Sequence, residues 1–442
     1  LLFTTELFKF LKADRFPSDA MSYSATTRHT KGENQSMQNN LKKLFLSSCI
    51  FAILLLSYNG NLFFAADLDD AAIDPYSAIV LEEFVFEKAD FRSCHAATVL
   101  ELKGGDLLCA FFSGSREGAP DVEIRMCRKP VGGAWTPPVS VADGDEPGSE
   151  RMPTGNPVLF QERGGDVMLF YKVFDASIGS AGFRGRVKIS KDGGHTWSEA
   201  RKVGDGLIGP VKNKPIQLDD GSILSPSSTH GDSRGMRVHI ERSTDKGKTW
   251  NLIGPVKKNP EAKISAIQPT LLTYADGRIQ MLSRTASSHG FIAQSWSEDG
   301  GLTWSPLKPL ILPNNNSGFD GVSLRDGRQL LVYNHSTRTY GKHKGRGILN
   351  VSLSHDGIAW EASLILDYLD ESGKQFSYPA VIQSRDGLVH IVYTWHRKRI
   401  KHVVLNPKDL ETVPMPDGKW PMEGPFSLKA FLQSQKNDGQ SN

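Results

Sequence analysis

The stretch SKDGGHTW at residues 190–197 recurs as STDKGKTW at 243–250, as SEDGGLTW at 297–304 and, shortened, as SHDGIAW at 354–360. One small turn written at nearly even intervals restricts the chain to architectures built from a repeated unit. In each copy the Asp can cap backbone amides of the turn, Gly supplies a positive φ, and the following Trp starts the next strand with a large apolar anchor. The turns are therefore expected to be structural. Asp192, Asp245 and Asp299 are not expected to carry catalysis or to bind metal. RKPVGGAW at 128–135 keeps the Trp, has lost the Asp, and reads as a degenerate fifth copy.

A second unit alternates with the first: an apolar strand, a Gly/Asp turn, another apolar strand. PVLFQERGGDVMLFYK, PTLLTYADGRIQMLSR and PAVIQSRDGLVHIVYTW are examples, and the six turn glycines are Gly105, Gly165, Gly221, Gly277, Gly327 and Gly387. Such turns between β-rich runs signal hairpins, and this spacing is the range of propeller blades. Each interval has room for four short strands. A lone four-stranded blade exposes its edges and faces, whereas six arranged radially bury them. The expected fold is all-β, a six-bladed β-propeller. SAIVLEEFVFE at 77–87 alternates like a strand and is expected to close the ring by pairing with the last blade.

The ends read differently. Residues 1–36 are polar without apolar periodicity and are expected to be an upstream artefact. Met37 opens a stretch with Lys42, Lys43, an apolar run and small residues before Asp67, the three parts of a secretory signal. Residues 37–66 are thus expected to be a signal peptide, and the protein to be secreted or periplasmic. The run is broken by Ser47, Ser48 and Ser57, so a stable membrane span is not expected. LSSC at 46–49 resembles a lipoprotein box, although the apolar run continues past Cys49. The propeller is expected over 67–430, and 431–442 to be a disordered tail. A net charge of +3 gives no electrostatic case for nucleic acid. Cys94, Cys109 and Cys127 give no disulfide framework.

Three local motifs carry little. GDGLIG at 204–209 matches a dinucleotide-loop pattern without a helix to follow it. HRKRIKH at 396–402 reads as the exposed end of a hairpin, and Asn315, Asn334 and Asn350 lie in glycosylation sequons.

In a propeller the inner strand of each blade starts on one face and the second strand returns to it. Residues at those entries and exits converge on one pocket. The entries carry Arg92 and His95, Asn156, Asn213 and Lys214, Gln268, Asp320 and Tyr378. The exits include Arg116 and Glu117, Lys172, Arg284, and His396 with Arg397. Polar residues at the ends of otherwise apolar strands mark a binding face. Several cations around one pocket suit an anionic ligand, since Arg grips a carboxylate in two places. His, Asp and Glu are spread over different blades with no metal-ligand spacing, so neither a metal nor another cofactor is expected.

The repeated S-x-D-x-G-x-T-W turns resemble the Asp boxes, or bacterial neuraminidase repeats, of the sialidase superfamily. SREGAPDVEIR, NPVLFQ, AIQPTLL and SYPAVIQSRDGLVHIVYTW look like its BNR-repeat branch, and the resemblance runs from about Ala89 to Leu405. It implies an exo-acting glycoside hydrolase that removes a terminal acidic sugar from a glycan. Its centre would hold an arginine cluster, an acidic proton donor and a tyrosine nucleophile activated by a carboxylate. Tyr378 matches the nucleophile and Arg284 one arginine; Arg92 lies near a second, with His95 beside it. Asp121 stands where the acid is expected. Gln268 takes the place of the activating glutamate, for which Glu117 on another blade is the substitute. Arg338, Arg346 and Arg397 are the candidates for the third arginine. On this reading Tyr378, Glu117, Asp121 and His95 are catalytic. Arg92, Arg116, Asn156, Lys214, Gln268, Arg284, Asp320 and Arg397 bind substrate. Two alternatives stay open: a hydrolase or lyase acting on a uronate-containing glycan through His95 and Tyr378, and a glycan-binding propeller without turnover.

Overall fold

The computed structural model describes residues 74–438, apart from 147, 176, 178–181, 230–234, 262, 287 and 340–343. The stretches read as an upstream artefact and a signal peptide lie outside the described residues. Six antiparallel sheets follow one another around a ring. The first four blades are strands β2–β5 (Ser93–Ala142), β6–β9 (Thr154–Lys202), β10–β13 (Ile216–Ile253) and β14–β17 (Ala266–Pro313). Blade five is β18–β21 (Asp320–Tyr368), with β25 (Val413–Pro414) added outside β21. Blade six is β22 (Phe376–Gln383), β23 (Val389–Trp395) and β24 (Arg399–Leu405), and its outer strand is β1 (Ile79–Phe84) from the other end of the chain. The register runs from Ile79 opposite Leu405 to Phe84 opposite Lys401, so the expected closure is present.

All six hairpin glycines have positive φ, from 86° at Gly221 and Gly277 to 114° at Gly165, which L side chains rarely adopt. Six apolar clusters fill the six interfaces between neighbouring blades. The Asp boxes are built into these interfaces. Asp299 accepts from the amides of Leu302 and Thr303 and from the hydroxyls of Ser297 and Thr303, and Asp192 and Asp245 repeat the pattern. Trp197, Trp250, Trp304 and Trp360 each pack into the cluster shared with the preceding blade, and Trp135 of the degenerate copy does the same. Blade six has no box. Its outer strand comes from the N-terminal end, so no turn joins β24 to β1.

The C-terminal stretch departs from expectation. Helix α1 spans Leu428–Asp438, so the tail is ordered through 438. Its polar composition hid one anchor: Phe431 is buried against Ile348 and Ile365, with its ring 5.9 Å from that of Tyr76. The sequons are also closed off. Asn315, Asn334 and Asn350 are each no more than 3% exposed, so the folded chain does not present them. Cys94, Cys109 and Cys127 are buried and free. Of the basic run 396–402, residues 396–398 form the β23–β24 turn, with His396 and Arg397 at φ 53° and 57°, and Arg399–His402 belong to β24, where His402 is buried.

Candidate functional site

The inner strands of four blades share a bulge near their start. The residue inside it takes a left-handed conformation: Ala96 (φ 55°), Asn156 (40°), Gln268 (52°) and Tyr378 (56°). Three of the four precede a proline, at Pro157, Pro269 and Pro379. Proline has no N–H to give the ladder, so it fits a bulge. Gln and Tyr at positive φ carry strain of about 1–3 kcal/mol each.

The centre forms around the Tyr378 hydroxyl. Arg284 Nη1 donates to this oxygen, and Gln268 Nε2 donates from 3.4 Å. The Gln268 amide is held in that orientation because its Oε1 accepts from Arg284 at 2.9 Å, and a guanidinium only donates. Arg284 lies 5.7 Å from the Tyr378 ring, Arg346 5.6 Å and the Lys212 ammonium 6.0 Å. Burial works to raise the Tyr378 pKa, but Arg284, Arg346 and the Gln268 hydrogen bond outweigh it, and the phenol sits below its ordinary 10.0. Among the described residues no carboxylate is hydrogen-bonded to this hydroxyl. Glu117 is the carboxylate whose charge reaches both Tyr378 and Arg346, and it is ion-paired with Arg397 at 2.7 Å.

A cavity of about 500 Å³ adjoins this centre and shares Arg284 and Arg346 with it. Arg338, Lys344 and Lys374 complete its basic lining, and Asn316 and Gln375 steady the two shared arginines. Of the candidates for the third arginine, Arg346 is the one stacked near Tyr378, whereas Arg338 is exposed on the cavity wall.

The other expected site residues have different duties. Asp320 is 1% exposed and accepts from Lys214, Thr270, its neighbour Gly321 N and Val381 N, tying blades three to six together. Lys214 gives its remaining contact to Gly321 O. Asn156 donates to Val211 O, and Lys172 to Pro210 O, joining blades two and three. Thr98, Ser228 and Thr394 hydroxyls make the matching links elsewhere around the hub. Each of these polar groups ties one blade to the next, and Asn156, Lys172 and Ser228 also line a small cavity that Gln268 shares.

His95 stands one residue before the bulge position held by Ala96. A one-residue shift on a strand turns a side chain to the other face. His95 accordingly bonds Thr394 Oγ1 at 2.9 Å, and its ring centroid is 4.3 Å from that of Tyr378. Rings in contact leave no room for a sugar between them. Burial, then Arg397, Arg346, Arg284 and Lys212, hold its pKa well below 6.5. Arg92 and Asp121 line a separate hollow on blade one, where Asp121 is held by the Ser115 amide and hydroxyl at 2.8 Å each. Its pKa is lowered: burial works upward, and the Ser115 hydrogen bonds and Arg151 outweigh it. Arg116 is exposed on the 115–118 loop.

Lys212 was missed by the sequence reading. Its ammonium donates to Asn213 Oδ1, Phe319 O and Pro379 O, satisfying all three N–H groups beneath Tyr378. Burial brings its pKa down to about 7. VKNKP lies in an irregular segment before β10, where nothing in the sequence separates Lys212 from Lys214. Among the described residues no group of three or more His, Cys, Asp or Glu side chains is placed to hold a metal ion.

Ring, boxes and tyrosine–arginine centre together define an Asp-box propeller of sialidase type. Residues 105–391 match the family model described as a BNR repeat-like domain, and the chain belongs to that family. A curated sialidase of Bacteroides fragilis (strain YCH46) is 25% identical over 222 residues, covering 46% of this chain. The match spans 38% of that relative's length. Among solved structures, a Hadza microbial sialidase superposes with a TM-score of 0.61 at 17% identity, covering 75% of this chain and 69% of that one. A protein of unknown function from Dyadobacter fermentans gives 0.57 at 18%, covering 74% and 98%. The intramolecular trans-sialidase of Ruminococcus gnavus gives 0.54 at 16%, covering 75% and 98%. At these identities the structural likenesses establish the shared propeller fold.

Proposed function

We propose that the protein is an exo-acting glycoside hydrolase of the sialidase superfamily that removes a terminal acidic sugar from a glycan. The observation that carries this reading is the Tyr378 oxygen, which accepts from Arg284 and Gln268 and has Arg346 and Lys212 around its ring. Two donors aimed at one phenol oxygen stabilise a phenolate. An anomeric carbon that bears a carboxylate repels a carboxylate nucleophile, and a tyrosine avoids that repulsion. Sialidases are accordingly an exception to the two-carboxylate scheme. In this chain the cations, not an adjoining glutamate, would lower the cost of ionising the nucleophile.

The proposed course has two steps. Glu117, as the substitute base, accepts the Tyr378 proton while Tyr378 Oη bonds to the anomeric carbon and the bond to the leaving oxygen breaks, and it passes that proton to the leaving oxygen. Water then displaces Tyr378 and returns a proton to it by way of Glu117. Arg284 and Arg346 hold the sugar carboxylate throughout. Export belongs to the same proposal and rests on the signal-like stretch 37–66.

One observation favours a second reading, glycan binding without turnover: an amide, Gln268, stands where the superfamily resemblance calls for a carboxylate. A fluorogenic sialic-acid glycoside separates the two when offered to the wild type, Tyr378→Phe and Gln268→Glu. Release by the wild type and none by Tyr378→Phe is the expected result. A silent wild type with an active Gln268→Glu supports binding only. Silence from all three ends the sialidase reading.

A further inference from the structure

The cavity beside Tyr378 holds more positive charge than one sugar carboxylate requires. Arg284, Arg338, Lys344, Arg346 and Lys374 all line it. Among the described residues no carboxylate lines the cavity, and none of these five cations lies within ion-pair distance of one. Two other cations of the hub are matched, Lys214 with Asp320 and Arg397 with Glu117, and the Lys212 ammonium is satisfied by Asn213 Oδ1 and two backbone carbonyls. Arg284 and Arg346, both near the Tyr378 ring, suffice for a single bidentate carboxylate. Arg338 and Lys344 are exposed, Lys374 is half-buried, and these three stand on the loops that follow β19 (Gln329–Tyr333) and β21 (Glu361–Tyr368). A concave wall of one sign concentrates counter-charge from solution. No aromatic ring lines the wall among the described residues, so sugar stacking is not its means of recognition.

We infer that the cavity binds a glycan segment with at least two anionic groups. One is seated by Arg284 and Arg346. The second, a sulfate ester or a carboxylate on the adjoining sugar, is seated by Arg338, Lys344 and Lys374. Placing a sugar acid at the first seat rests on the proposed function; the second seat is a statement about binding and does not require turnover.

The test uses the Tyr378→Phe protein, so that affinity is read without hydrolysis. Calorimetric titration compares sialyllactose, its sulfated form and a disialylated form, alongside a sulfated uronate disaccharide. The doubly anionic probes are expected to bind about tenfold more tightly than sialyllactose, with an advantage that shrinks as salt is raised. Lys344→Ala/Lys374→Ala should remove the advantage, and Lys344→Arg/Lys374→Arg should keep it. A preference for the sulfated over the disialylated probe identifies the second anion as a sulfate ester. Equal affinity for singly and doubly charged probes, an advantage that survives the alanine pair, or no binding by any probe overturns the inference. If the sialyl probes fail while the sulfated uronate binds with the same lysine dependence, the inference stands and the sialidase reading falls.

Discussion

Tyr378 shows how neighbours decide what one side chain can do. Its oxygen faces two donors, and no acceptor is hydrogen-bonded to it among the described residues. Ionisation is therefore favoured in the folded state. The group is an acid whose folded pKa is depressed. Its stabilising contribution is complete above the ordinary 10.0 and is lost as pH falls through the folded value. Absorbance at 295 nm, wild type minus Tyr378→Phe, should show one tyrosine ionising below pH 10.0, and Arg284→Met should move that step upward. A step at or above the ordinary value would remove the phenolate from the mechanism. Tyr378, Arg284 and Gln268 were legible because entry and exit positions of inner strands can be counted from the hairpin glycines. Asp320, Lys214 and Asn156 satisfied the same count and tie neighbouring blades together. A polar residue at a hub reads the same whether it faces a ligand or the next blade. Arg346 and Lys212 come from irregular segments, where no period shows which way a side chain points.

Each Asp box fastens its blade to the one before. Gly301 (φ 84°) lies so close to Leu224 of blade three that a Cβ there would stand 2.5 Å from Leu224 Cδ1. Asp299 holds the turn shut through four donors. Asp299→Ala should lower unfolding stability by about 1–2 kcal/mol, the scale of a lost cap, in a urea titration. Asp192→Ala and Asp299→Ala sit on separate blades, so their effects should add. A change within experimental error would make the box a marker of the fold rather than a support for it. These elements were plain in the sequence because a turn needing positive φ fixes Gly and an interface needing bulk fixes Trp. Helix α1 was not, since a single buried phenylalanine carries its docking.

The ring as a whole depends on one seam that no turn crosses. Glu83 on β1 accepts from His402, Lys129 and Trp135, joining the N-terminal strand to blades six and one. Burial works to raise its pKa, and His402 and Lys129 outweigh that and bring it to about 2. A carboxylate lowered in this way stabilises the fold above its ordinary 4.5, and that stability is lost as pH falls through about 2. Glu83→Gln should therefore unfold more easily than wild type at pH 6, with the gap narrowing toward pH 2. A gap that does not change with pH would mean the seam is held by its strand pairing alone. The seam also sets a clock on the nascent chain. β1 leaves the ribosome first, and Leu405, its last partner, follows roughly 320 residues later. At about 5–20 residues per second the first strand waits tens of seconds as an unpaired edge. Throughout that interval it is open to a chaperone or to a stray strand from another chain.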